Sequence, residues 1–128
     1  MEYSVKSPIL GFEHINKVKV EKIDDFFMKL ESLDDDTTFT LINPFLLRNY
    51  EFEIPDYFKE LLEIDEKTNI SVLNIMIVAN PIETSTINFI APIVFNTDKK
   101  LAGQILLDEN RYKEYGIMES ISNYLNKD

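Results

Sequence analysis

The 128-residue sequence has no cysteine, one histidine, two arginines, three glycines and five prolines. Each shortage excludes a class of function. Without cysteine there are no disulfides, no thiol nucleophile and no thiolate zinc site. A single histidine, His14, leaves no pair for a metal or a proton relay. The glycines, at positions 11, 103 and 116, stand apart, so the chain carries no glycine-rich phosphate loop. Glycine and proline together are too sparse for a linker or a low-complexity protein. The most apolar stretches, 72–79 and 87–95, fall far short of the about 20 residues that a membrane-spanning helix needs. The N-terminus lacks the basic and then apolar regions of a signal peptide, so a cytoplasmic location is expected.

What is abundant is acid. Asp and Glu number 23 against 13 Lys and Arg, a formal charge of −10. Nucleic-acid binders neutralise phosphates with clustered Lys and Arg. Here the lysines are interleaved with carboxylates, which argues against direct contact with RNA or DNA, and against an anionic membrane surface. A basic protein partner fits better. Apolar residues make up 45% of the chain and aromatics 12%. A single domain over 1–128 of this size buries about two-thirds of its unfolded surface, enough for a core without metal or disulfide staples.

Alternation with period two recurs and predicts strands. Val18 and Val20 share one face of a half-solvated strand at 17–22. A second strand is expected over 26–33, ending at the turn Asp34-Asp35-Asp36, and a third over 38–43, stopped by Pro44. The 70–79 run is apolar on both faces apart from Asn74 and reads as a central, covered strand. The 86–96 run alternates throughout, with Pro92 requiring an edge or a bulge; it forms a hairpin with 101–107 across the loop at 96–100. Helical spacing appears twice. One helix is expected at 55–64, with Pro55 in its first turn, and an amphipathic helix at 117–126. The fold class is therefore mainly β: a small antiparallel β roll or partly open barrel with one or two short helices.

Candidate chemistry is thin. Asp34-Asp35-Asp36 has neither the alternation nor the glycine of a calcium loop and reads as a solvated turn. His14 reads as a turn residue, since no serine lies in a nucleophile elbow. Lys99-Lys100 reads as a solubilising loop that blunts a sheet edge. Met28, Met76 and Met118 form no stripe and read as core fillers. No cofactor and no enzymatic activity are expected. The alternative is a small-ligand-binding or hydrolytic β roll that uses surface carboxylates.

Several segments together resemble the flagellar assembly factor FliW family. They are Ile9-Leu10-Gly11-Phe12-Glu13, Leu30-Glu31-Ser32-Leu33-Asp34-Asp35, Phe39-Thr40-Leu41-Ile42-Asn43-Pro44 and Tyr50. The most distinctive is Thr86-Ile87-Asn88-Phe89-Ile90-Ala91-Pro92-Ile93-Val94-Phe95-Asn96, followed by Gly103-Gln104-Ile105-Leu106-Leu107-Asp108 and Tyr112. The resemblance covers roughly residues 5–115 and implies a β-barrel-like regulator of flagellin synthesis. Such a protein binds flagellin and antagonises the RNA-binding translational repressor CsrA, coupling flagellin level to flagellin translation. A monomer or weak oligomer is expected, and the faces around the 86–107 hairpin and the aromatic-rich turn at 45–50 offer Phe45, Leu46, Tyr50, Asn88, Gln104 and Tyr112 as candidate protein-binding residues. Amphipathic flagellin segments would need an apolar surface. Docked beside the RNA site of a basic repressor, a protein of charge −10 would also repel phosphates.

Overall fold

The fold is taken from a computed structural model, which describes residues 1–124. In chain order the strands are β1 (Glu2–Ser7), β2 (Lys17–Lys22), β3 (Phe27–Ser32) and β4 (Thr38–Ile42). Next come the helix α1 (Asp56–Leu61) and β5 (Ile70–Ile77). The short β6 (Thr86–Ile87), then β7 (Ile93–Asn96), β8 (Leu101–Gln104) and β9 (Glu119–Ser120) complete the set. Seven of these strands close into a barrel in the order β4-β3-β2-β1-β8-β7-β5, with β5 returning to β4. The remaining two extend β5 outward as β6 and β9. The mainly β class expected from the alternation is what the structure has. The closure contains one parallel pairing, β1 with β8, among antiparallel neighbours.

Period-two patterning explains the closure. Tyr3 lies opposite Val18, Val20 opposite Leu30, and Leu30 opposite Phe39. Leu41 then meets Ile75, Leu73 meets Ile93, Phe95 meets Ala102, and Ala102 meets Val5. One apolar residue on each strand thus faces inward at matching height, and the interior is filled by side chains. A second core lies outside the barrel wall. There Phe58 and Leu62 of the α1 region pack with Met76, Phe89, Val94 and Ile105 over β5, β7 and β8. The fully buried Asn96 ties the two layers: its amide donates to the carbonyl of Leu62 at 2.7 Å, and its oxygen accepts from Asp98 and Lys99 in the β7–β8 turn.

Several expectations are corrected. Residues 117–126 do not form an amphipathic helix. Glu119–Ser120 pair with β6 instead, and Ile121–Asn123 make a 3-10 turn capped by Ser120. Ladder partners on β6, and the amide of Ile121 bonded to the carbonyl of Ser85 at 2.8 Å, outweigh helical spacing in a segment too short to be stable alone. Positions 125 and 126 of that expected helix lie outside the described residues. Met118 is exposed rather than a core filler. The 86–96 run is split: Pro92 supplies no ladder donor, and 88–92 leave the sheet between β6 and β7. Lys99 and Lys100 blunt no edge, because the barrel is closed there; they form the β7–β8 turn, with Lys99 paired to Glu63 at 3.0 Å. The expected helix at 55–64 is present but shorter. Phe58 within it and Leu62 just after it are buried, while Tyr57 and Leu61 are exposed.

Candidate protein-binding surfaces

The acidic turn and His14 resolve first, because they account for themselves. Asp34 accepts the amides of Asn16 and Lys17 at 2.7 and 3.1 Å, and Asp35 accepts that of Thr37 at 3.0 Å. These bonds hold the Asp34 carboxyl below its ordinary range; for Asp35 the Thr37 amide and then the His14 contact push it well down. His14 sits 2.6 Å from Asp35 on the surface. These groups build a turn. Among the described residues no group of three or more His, Asp and Glu is placed to hold a metal ion.

Two of the surface grooves differ in chemistry in a way that bears on binding. The first, about 1040 Å³, runs between β5 at Ile70 and Val72 and the extended segment 51–54. Its floor is aromatic. Tyr112 and Tyr115 stack with ring centres 5.7 Å apart, and Phe45 meets Tyr50 edge-on at 6.0 Å. The two tyrosine hydroxyls hold the 51–54 wall in place. Tyr115 accepts the amide of Glu51 and donates to the carbonyl of the same residue, and Tyr112 accepts the amide of Glu53 at 3.0 Å. The rim is acidic, with Glu51, Glu53 and Glu114 against one cation, Arg111, which Glu53 already holds at 2.5 Å. That contact, first as a hydrogen bond and then as charge, raises the Arg111 pKa.

Behind this groove Arg48 is packed into aromatic rings. Its guanidinium lies 4.9 Å from the ring centre of Tyr115, 5.2 Å from Phe89 and 5.6 Å from Tyr124. It donates to the carbonyl of Glu114 and to the Tyr124 hydroxyl, and pairs with Glu119 at 3.5 Å. Tyr124 also bonds Glu119, and burial followed by that carboxylate raises its pKa. This network fixes the end of the described chain against the outer core.

The second groove, about 590 Å³, lies between the 9–12 loop, β4 and the end of β5. Leu10, Phe12, Phe39, Ile75, Ile77 and Ile117 supply its apolar lining, and among the described residues no ionisable side chain lines it. Ile77, Val78, Ile117 and Met118 continue it as exposed apolar surface.

The six candidate residues divide between these places. Phe45 and Leu46 are exposed on the 3-10 turn Pro44–Leu46. Tyr112 is half-buried in the acidic groove. Tyr50 reaches that groove but is 3% exposed, with its hydroxyl donating to the Phe89 carbonyl and accepting from Asn74. Gln104 borders the apolar groove and serves the backbone, accepting from Leu10 at 2.8 Å and donating to Ala91 at 3.0 Å. Asn88 borders the same groove, and its buried carbonyl oxygen has no partner. The glutamates at 51, 53 and 114 and the apolar residues around Ile77 were not singled out from the sequence. They come from segments far apart in the chain and carry no local signature.

A closed barrel packed with side chains and bearing open grooves on its surface has the form of a binding module. The chain belongs to the FliW family: the family model described as FliW protein matches residues 2–117. It is 54% identical to flagellar assembly factor FliW 2 of Wolinella succinogenes, over all of this chain and 95% of that one. Flagellar assembly factor FliW of Sulfurimonas denitrificans is also 54% identical, over 99% of this chain and all of that one. A crystal structure of the flagellar assembly factor FliW superposes with a TM-score of 0.86 at 26% identity, covering 99% of this chain and 88% of the other. The family is one of assembly factors rather than a class of enzymes. Among the described residues no helix is long and apolar enough to cross a membrane.

Proposed function

We propose that this protein is a non-enzymatic, cytoplasmic flagellar assembly factor that binds flagellin and antagonises CsrA, so that free flagellin sets its own translation. The observation that carries this reading is the pair of grooves with opposite chemistry. The apolar groove around Ile77 has no ionisable lining among the described residues, which suits the apolar face of an amphipathic helix such as an unassembled flagellin terminus. The groove bearing Glu51, Glu53 and Glu114 suits a basic, RNA-binding regulator. Flagellin is assigned to the first and CsrA to the second, with Asn88 at the border of one and Phe45 and Tyr112 in the other.

Isothermal calorimetry with purified flagellin and CsrA tests this. The expected result is a complex with each at micromolar concentration. Ile77 is 59% exposed, so Ile77→Lys should leave folding intact and weaken flagellin about tenfold or more while sparing CsrA. No heat with either partner would refute the function; equal loss for both partners would refute the assignment of grooves.

A further inference from the structure

We infer that the acidic groove captures its partner by strand addition: an extended segment bearing Lys or Arg pairs along the free half of β5. This rests on the reading that a basic protein is the partner there, and it specifies how that partner is held.

The argument begins with the ladder. On one side, β5 pairs with β7 from Ile70 to Leu73. On the other, its pairing with β4 runs from Met76 to Asn74 and stops. The half of β5 at 70–73 therefore has a strand neighbour on one side only. Which residues present their backbone to the open side follows from the period of two. The Asn69 carbonyl accepts from Thr97 and the Ile75 carbonyl accepts from Asn88, both on the β7 and β6 side. Odd-numbered residues thus point that way, and Ile70 and Val72 turn their N–H and C=O into the groove. Unpaired edges are templates for another chain unless a charge, a proline or a bulge blunts them. The stretch Ile70-Ser71-Val72-Leu73 has none of these.

Charge selects the occupant. Glu51 and Glu114 make no ion pair among the described residues, and the cation lining the groove, Arg111, is already held by Glu53. A strand with basic side chains at alternate positions meets those carboxylates, while its other side chains lie among Phe45, Phe52 and Val72. A second copy of this chain would bring the same carboxylates against themselves, which disfavours self-pairing.

The test uses the full-length protein and purified CsrA as the probe. Amide hydrogen exchange on the unaltered protein should show the Ile70 and Val72 amides becoming protected in the complex. Val72→Pro removes an N–H on the open side of β5 that has no strand partner among the described residues, a substitution that free strand edges tolerate. It should weaken CsrA about tenfold or more, leave flagellin affinity unchanged, and keep the circular dichroism and melting temperature of the parent. Glu51→Lys combined with Glu114→Lys should weaken CsrA similarly and flatten its salt dependence. A complex in which both amides exchange as in the free protein, or one that Val72→Pro leaves equally tight, overturns strand addition alone. Failure of the unaltered protein to bind CsrA overturns the functional reading and this inference with it.

Discussion

Tyr50 separates a structural role from a binding role more sharply than any other candidate, and Tyr50→Phe is the change that does so. The ring is 3% exposed and touches Phe45, Phe52, Phe89 and Tyr115, with the nearest centroid, that of Tyr115, 4.7 Å away. Phenylalanine keeps those contacts and deletes only the hydroxyl. That hydroxyl is the donor to the buried Phe89 carbonyl and one of two acceptors for the Asn74 amide, whose other acceptor is the Asn88 carbonyl at 2.8 Å. Burial raises the phenol pKa, so it remains a neutral donor at any physiological pH. Its loss leaves a carbonyl without a partner in apolar surroundings, a cost of about 1–3 kcal/mol. In a chain of this length that is a fall in melting temperature of roughly 4–12 °C. Urea unfolding followed by circular dichroism should show a lower midpoint with an unchanged slope. Affinity for flagellin and CsrA should stay within about twofold, since the hydroxyl faces the core. The companion Phe45→Ala, at a side chain 55% exposed, should do the reverse and spare stability while weakening CsrA. If Tyr50→Phe left stability within about 0.5 kcal/mol but weakened a partner, the residue would belong to the interface and the core reading would be wrong.

A methyl group at Gly103 would sit 2.8 Å from the Cβ of Ser7 and 3.1 Å from Phe58, at the parallel β1–β8 closure. Gly103→Ala should therefore cost about 1–3 kcal/mol by overpacking, read as a lowered urea midpoint, and an unchanged midpoint would show the closure to be looser than drawn. Asp34, Asp35, Asp65 and Asp98 all accept backbone amides and titrate below the ordinary aspartate value of 3.8. A folded-state pKa below the unfolded one stabilises above 3.8 and loses that contribution as the pH falls through the folded value, so the urea midpoint at pH 3 should lie below that at pH 7. Asp34→Asn and Asp98→Asn together should narrow the gap, and equal midpoints at both pH values would refute the role of these turns.

The barrel wall was legible because its signal is local. Val18 with Val20, Leu73 with Ile75 and Ile93 with Phe95 each repeat at two residues, and each set faces the interior. The Tyr3 and Val5 strand carries the same signal in fewer residues, and its parallel pairing with β8 depends on a partner almost a hundred positions away. The segment at 117–126 shows the opposite failure. Its spacing fits a helix, yet the free edge of β6 offered Glu119 and Ser120 a better set of hydrogen bonds. The block from Asn88 to Asn96 with Gly103 and Gln104, which carried the resemblance, proves to hold the layers together. Asn96 bonds the end of α1, Gln104 tethers Leu10 to Ala91, and Gly103 admits Ser7 and Phe58. The family was recognisable from residues that close the fold. Its grooves were not, because Val72, Glu51 and Glu114 meet only once the barrel exists.

The charge of −10 then has a distribution, and the distribution matters more than the total. Asp34, Asp35, Asp65 and Asp98 spend their oxygens on backbone amides within turns. Glu21, Glu31 and Glu63 are each paired with a lysine. Among the described residues Glu51 and Glu114 have no such partner, and both line the groove. A basic partner seated there would meet both carboxylates at contact distance. On the function proposed above, phosphates approaching that partner next to the groove would be repelled by Glu51 and Glu114. On that proposal, binding the regulator and discouraging its RNA would draw on one set of charges, without either surface having to overlap the other.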